Sequence, residues 1–404
     1  MFLSNHITLM AAEIHWITTA DDFLPWHDAW LDLLNRSVVP ITPFHHPAWI
    51  DGCWRCPRNQ LAVGLLATGR DLHAGLVFNS ETDAGPAVLV PIRLLSLTPH
   101  ISAAHPACLV AVAHPAPDPG DIGLLLDLAL DALKWQALFL NFLNPAHTWL
   151  ETAVRSAAAA RHWRIREGKS STDAYIDATG GSSAYLARRS SNFQNNQRRA
   201  RNQLRNLGSL EMMEVARTDM PRDALETVLT SAFERCWQRD SIHSPLHPAV
   251  RPSLLSLLAA MRTAGLLRVY LLRSNSTDIA FEFGFVDPYP GGLYYPCVRG
   301  YDETYKKYSP GNLLTEFTLD DTAASRLRGI YLGPIHVSAD TKYKQTWLTE
   351  EWTVRNFLLI RPKSIYGILD TLYERIPVFR RLWWKFRIGE HIRKRYWKHH
   401  GPTG

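Results

Sequence analysis

A chain of 404 residues, 46% of them apolar, is longer than one hydrophobic core usually serves and holds ample material for two, so two domains are expected. Five cysteines, an odd number with one close pair at Cys53 and Cys56, argue against a disulfide framework and for a reducing compartment, the cytoplasm. The net charge of +6 does not mark a nucleic-acid binder: from Arg375 onward nine Lys/Arg face Glu390 alone, so the tail carries +8 and the rest −2.

The first thirteen residues lack a basic n-region and a clean apolar core, so no signal peptide and no export are expected. Apolar periodicity then predicts helices over Asp21–Asn35, Pro47–Trp54 and Asp121–Trp135, and strands over Leu61–Thr68, Gly75–Phe78, Ala87–Leu95 and Ala137–Leu143. Asp127, Asp131 and Lys134 interrupt the apolar stretch Ile122–Leu143, which reads as a core helix and a strand instead of a membrane span. Helical spacing returns over Ser182–Gly208, Asp223–Arg239 and Ala249–Ala264. The period then shortens to that of strands at Leu267–Arg273, Ile279–Val286 and Leu293–Arg299, parted by turn clusters, which is an antiparallel meander. A helix is expected to start at Ser309, with serine as N-cap, Pro310 in the first helical position and an inward stripe of Leu313, Leu314, Phe317 and Ala324. A short strand follows near Ile330–Ile335.

Tyr301-Asp302-Glu303-Thr304-Tyr305 followed by Tyr308-Ser309-Pro310-Gly311-Asn312-Leu313-Leu314 resembles the segment before the cofactor helix in GNAT-superfamily acetyltransferases of the cellulose and exopolysaccharide biosynthesis type. Tyr343, Lys344 and Trp347 match the Tyr-Lys pair and Trp of that family, and Tyr185-Leu186 with Arg188, Arg189, Asn192, Arg198, Arg199, Arg201 and Gly208 is similar to its basic helix. Pro43-Phe44, Pro47, Trp49, Pro91 and Trp135 match more weakly, and the resemblance runs from Pro43 to Trp347. It implies an α/β fold of two GNAT-like (acyl-CoA N-acyltransferase) domains in tandem, with mixed, mainly antiparallel sheets flanked by helices. These are expected at residues 1–176 and 177–360, the second holding the acyl donor, with a basic aromatic tail at 361–404. The implied activity is transfer of an acyl group, acetyl in the first instance, from a coenzyme A thioester to an amine or hydroxyl of a sugar or amino compound, with no metal. The sequence departs from the family at Tyr331-Leu332-Gly333, where relatives often carry an acid before the Leu-Gly step. The same tandem fold is shared with Fem-type aminoacyl transferases, which draw on charged tRNA, and a degenerate tandem GNAT protein acting as a binding module is the reading without catalysis.

Acyl transfer needs an anion site for the donor's pyrophosphate, an N–H for the developing oxyanion and a base for the acceptor's proton. The helix start Ser309, Pro310, Gly311, Asn312 and Leu313 offers free N–H groups, a positive dipole end and, at Gly311, an approach with no Cβ; it reads equally as an ordinary capped helix. Glu282, alternating with Phe281 and Phe283, is the candidate base, on the expectation that burial raises its pKa; an ion-paired carboxylate is the plainer account, and His336 and Asp340 compete. Tyr343 would protonate the leaving thiolate and Lys344 would contact phosphate or an acidic acceptor, though both suit a surface equally well. Arg198, Arg199 and Tyr305 are candidates for substrate binding, within a run from Arg188 to Arg205 of six arginines and no acid that also suits a solvated helix face.

Other motifs fail. Gly168-Lys169-Ser170 lacks the earlier glycine of a P-loop, the place being Trp163, and Pro245 breaks the helix that would align His243 with His247. In the tail, Phe379, Leu382, Trp383 and Phe386 recur at helical spacing among Arg380, Arg381, Lys385 and Arg387, with Trp384, Tyr396 and Trp397 beyond. That stripe suits an anionic membrane surface, met through residues 375–400 on the inner face of the membrane, and suits equally well packing on the second domain or a partner.

Overall fold

The computed structural model describes residues 12–55, 61–83, 92–96, 110–113, 119–132, 137–143, 148–167, 171–218, 220–236, 251–335 and 342–364, with positions 368, 371 and 375. The first half contains β1 (Glu13–Ile17), α1 (Ala20–Phe23), α2 (His27–Asn35), α3 (Pro47–Trp54), β2 (Leu61–Thr68), β3 (Asp71–Asp83), β4 (Ile92–Ser96) and β5 (Val110–Val112). It continues with α4 (Pro119–Ala132), β6 (Ala137–Leu143), α5 (Thr148–Ala160) and β7 (Arg164–Glu167). The second half contains β8 (Ser171–Asp177), α6 (Gly181–Ala187), α7 (Ser191–Arg205), β9 (Leu210–Glu214), α8 (Arg222–Cys236), α9 (Arg251–Thr263), β10 (Leu267–Ser274), β11 (Thr277–Val286) and β12 (Leu293–Tyr301). It closes with α10 (Pro310–Ala324), β13 (Gly329–Pro334), α11 (Lys342–Trp347) and β14 (Glu350–Ile360).

The sequence placed α3, β2 and β6 at their observed bounds and the meander β10–β11–β12 within a residue or two. The helix expected over Asp21–Asn35 is broken by a 3-10 turn at Leu24–Trp26, where Pro25 supplies no N–H to an α-helical ladder. Ser182–Gly208 is two helices, because Ser190 turns its side chain onto the Phe193 N–H and starts α7 afresh. The inward face of α10 also differs from the apolar stripe: Ala324 is exposed and Phe317 half-buried, while Thr315, Glu316, Thr318 and Thr322 are buried beside Leu313, Leu314 and Leu319. Polar residues line the underside of this helix because a buried ion pair lies beneath it.

The strands run β1-β2-β3-β4-β6-β14-β8-β13-β12-β11-β10-β9, with β5 beside β3 and β7 beside β14. β14 joins the halves: Glu350–Val354 pair antiparallel with β8, and Phe357–Ile360 pair with β6 and β7. One core packs α4 and α5 on the first sheet through Ile122, Leu125, Leu150 and Val154. A larger one runs from Trp30, Phe44 and Trp49 through the whole second half to Trp347. Gly75 belongs to it by omission, since a Cβ there would stand 2.1 Å from the Trp30 ring.

Among the described residues no helix is long and apolar enough to cross a membrane. The aromatic residues of the tail, Cys56, Pro91, Trp135, His243, His247, His336 and Asp340 lie outside the described residues.

Candidate functional site

The two parallel strands of the second half part company. β12 and β13 pair only at Leu293–Gly329 and Tyr294–Ile330, after which Tyr295–Tyr301 and Tyr331–Pro334 diverge and leave a gap. Bulges sharpen both edges. The β11–β12 register slips between Phe283 and Gly284, making Cys297 the extra residue of β12, and the β13–β8 register slips between Tyr331 and Gly333. Gly333 has φ +72, so the Leu-Gly step of the motif is the step that lets β13 bulge.

α10 begins at the mouth of this gap. A 3-10 turn, Glu303–Tyr308, is capped by Asp302 through the Thr304 N–H at 2.9 Å and hands over to the helix at Ser309. Ser309 corrects the expectation of a serine N-cap: its backbone is left-handed, φ 52 and ψ 51, and its side chain caps nothing. The extended conformation that aims a capping hydroxyl at the first turn is lost, so the hydroxyl does not compete with a ligand for the N–H groups there. Pro310 is buried, Gly311 and Asn312 are half-buried, and a Cβ on Gly311 would meet only the Arg299 side chain at 3.9 Å.

α11 lies across the gap and touches both edges. Tyr343 stacks under the Arg299 guanidinium of β12, 5.4 Å from the ring centre. Lys344 donates its Nζ to the Pro334 carbonyl of β13 at 2.9 Å. Trp347, fully buried, donates its indole N–H to Asn312 Oδ1 at 3.1 Å, so the first turn of α10 is pinned to α11. The helix is held from behind by the basic segment. Tyr185 donates its hydroxyl to the Trp347 carbonyl at 2.7 Å and stacks on its ring, and Arg189 donates to the carbonyls of Thr346 and Leu348.

This divides the arginine run. Arg188 pairs with Asp177 at 2.7 Å and Arg201 with the buried Glu316, while Arg198 and Arg199 are exposed and make no ion pair among the described residues. Tyr305, half-buried, sits in the 3-10 turn just before α10, its ring 6.4 Å from that of Tyr308.

Glu282 is fully buried beneath α10, where it forms an ion pair with Arg299 and accepts from the Tyr294 hydroxyl at 3.1 Å and the Thr318 hydroxyl at 3.4 Å. Arg299 also donates to Thr315 Oγ1 at 2.8 Å. The carboxylate therefore sits among donors and a guanidinium, not in the apolar surround the sequence suggested, and its geometry is that of an anchor for Arg299.

The opposite face of the sheet carries a group that sequence reasoning missed. Alternation along β12 puts Tyr295 on the side away from Tyr294 and α10, and Tyr331 lies beside it at 5.4 Å between ring centres. Tyr331 donates its hydroxyl to Asp173 of β8, the residue opposite Pro334 in the strand register. The acid absent from position 331 of β13 is thus present one strand over. Asp173 is fully buried, and burial pushes its carboxyl up to about 6 against the lowering pull of the Tyr331 hydrogen bond and the Lys344 charge. Lys344, 7% exposed, is pushed down to about 8 by its own burial and by the nearby Arg299, with Asp173 acting in the other direction. Burial likewise raises the Tyr343 hydroxyl above its ordinary value and keeps it protonated.

Residues 191–345, the stretch that builds α7, the meander, α10 and the divergent strands, match the family model of the acetyltransferase (GNAT) domain. The tandem arrangement is matched by solved structures as well. The chain is similar to FemX at 10% identity with a TM-score of 0.56, covering 89% of this chain and 100% of that one. It is similar to a conserved protein of unknown function from Bacteroides thetaiotaomicron (12%, TM-score 0.52, 86% and 100%). It is also similar to a tandem GNAT protein from the clavulanic acid biosynthesis pathway (12%, TM-score 0.50, 87% and 100%). At such identities the likeness is one of fold: two GNAT-like units in tandem. No curated protein matches the sequence. The domain match over residues 191–345 and the tandem GNAT-like fold point to acyl transfer, and the parted ends of β12 and β13 lie inside the matched stretch.

Proposed function

We propose that the protein moves an acyl group, acetyl in the first instance, from a coenzyme A thioester to an amine or hydroxyl of a sugar or amino compound. The observation that carries this reading is the gap between β12 and β13, with the uncapped first turn of α10 at its mouth and α11 across it. The donor's pyrophosphate would lie against Ser309, Pro310, Gly311, Asn312 and Leu313, where N–H groups and the helix dipole attract an anion. Its thioester would reach into the gap between Tyr343 and Lys344. A protonated Tyr343 or a Lys344 ammonium can donate to the departing thiolate, since burial favours the neutral phenol and weakens the hold of the ammonium on its proton.

A second reading, an aminoacyl-tRNA donor, is favoured by one observation: Arg198 and Arg199 are exposed on α7 with no ion-pair partner among the described residues. A thermal-shift comparison of acetyl-CoA, longer acyl-CoA and charged tRNA separates the two. The first reading expects stabilisation by the thioesters alone; stabilisation by charged tRNA alone would replace it with the second.

A further inference from the structure

The buried carboxyl of Asp173 has one oxygen engaged and one idle. Oδ2 accepts from Tyr331, whereas Oδ1 is buried and has no hydrogen-bond partner among the described residues. A carboxylate oxygen removed from water with no donor in reach costs free energy that a fold seldom leaves unrecovered outside a functional site. Asp173 stands opposite Pro334, the residue whose carbonyl holds Lys344, at the end of β13 that diverges from β12. The idle oxygen thus belongs to a residue beside the end of β13 that parts from β12, on the sheet face opposite the helix that would carry the donor's phosphates.

Resting on the reading given under Proposed function, we infer that Asp173 is the residue that takes the proton from the acceptor, and that the acceptor is a primary amine arriving as its ammonium ion. An ammonium group supplies the N–H donor that Oδ1 lacks and neutralises the carboxylate while it does so. In the reaction the ammonium gives its first proton to Asp173, which passes it to water. The freed nitrogen lone pair forms a bond to the thioester carbon, and the C–S bond breaks. The thiolate takes a proton from Lys344. The second nitrogen proton, lost as the amide forms, restores Lys344, so one proton per turnover is released overall. Tyr331 is a positioning residue: its hydroxyl fixes Oδ2 and turns Oδ1 towards the acceptor. A carboxyl near 6 and an ammonium near 8 are both close enough to neutral pH to exchange protons in these directions.

The test uses the full chain and acetyl-CoA as donor, with thiol release followed from pH 5 to 9 in water alone, with ethylamine and with ethanol. The wild type is expected to release thiol faster with ethylamine than with ethanol, along a profile whose acid limb lies near pH 6. Asp173→Asn is expected to lose that limb and about a hundredfold in rate while binding acetyl-CoA as before. Tyr331→Phe, which removes a hydrogen bond that favours the carboxylate, is expected to move the acid limb to higher pH. A profile and rate unchanged in Asp173→Asn, acceleration by ethanol but not ethylamine, or no thiol release above the solvent's own rate despite tight acetyl-CoA binding would each overturn the assignment. Failure of the wild type to bind acetyl-CoA would instead overturn the donor reading beneath it.

Discussion

The indole N–H of Trp347 donates to Asn312 Oδ1 at 3.1 Å, and this one bond ties the helix carrying Tyr343 and Lys344 to the first turn of the helix that would meet the donor's phosphates. Because the Trp347 ring also stacks on Tyr185, Trp347→Phe keeps most of the packing and removes the bond. A loss of about 1 kcal/mol in unfolding free energy is expected, the usual net worth of a buried hydrogen bond, together with weaker acetyl-CoA binding. Denaturation and calorimetry on the same samples measure both. Weaker stability with unchanged donor affinity would show that the tie is structural only.

Asp173 has a stability consequence separate from its chemistry. Its folded carboxyl is raised above the ordinary 3.8 to about 6, so between those values the folded chain binds more protons than the unfolded one and stability falls as pH rises. Above pH 6 the full cost of a buried anion is present, on the order of 2–3 kcal/mol from a shift of that size. Asp173→Asn is therefore expected to melt higher than the wild type at pH 7 and to flatten the stability curve between about pH 4 and 6. A lower melting temperature at pH 7 would mean that the carboxylate is better compensated than its surroundings indicate.

Glu282→Gln is expected to act on the fold before it acts on the rate. The substitution leaves the Arg299 guanidinium beneath α10 without its counter-charge, and breaking a buried pair from one side costs about 3 kcal/mol or more. A large drop in melting temperature is the expected outcome. Full stability with lost turnover would restore Glu282 as the base.

Much of the fold was legible because its signals are local. Helix α3 is announced by Pro47 in the first helical position and the strand β2 by its continuous apolar run, and both lie where the sequence put them. β8 and β14 were not read from the sequence, and they are the strands that fuse the two halves: the run Ser-Thr-Asp-Ala-Tyr-Ile-Asp of β8 is too polar for a core strand taken alone. The donor side of the site was legible for the same local reason, since Tyr308-Ser309-Pro310-Gly311 is contiguous. The acceptor side was not. Asp173 and Tyr331 are 158 residues apart and meet only through the strand order, so no spacing rule could join them. The arginines misled in the opposite sense, because a run of like charges looks solvated until Arg189 and Arg201 are seen spent on carbonyls and on a buried glutamate.

The basic aromatic tail carries a prediction of its own from sequence. Nine Lys/Arg from Arg375 onward, with Trp383, Trp384 and Trp397 among them, at about 1 kcal/mol per basic residue near an anionic surface, give reversible attachment when even a few engage. The full chain is expected to sediment with vesicles of anionic lipid at low salt, and a chain ending at Tyr373 to stay in the supernatant. If the full chain stays in the supernatant too, the aromatic stripe serves packing instead.

If the first turn of α10 holds the acyl donor's phosphates, Gly311→Asp should weaken donor binding without disturbing the fold. A Cβ at Gly311 fits in the fold, with the nearest atom at 3.9 Å, so the variant is expected to melt close to the wild type. Its carboxylate would project where the pyrophosphate is placed, adding bulk and like charge to an anion site. In calorimetric titration with acetyl-CoA, at least a tenfold loss of affinity is expected in a folded variant; unchanged affinity in a folded variant would rule out this place for the phosphates.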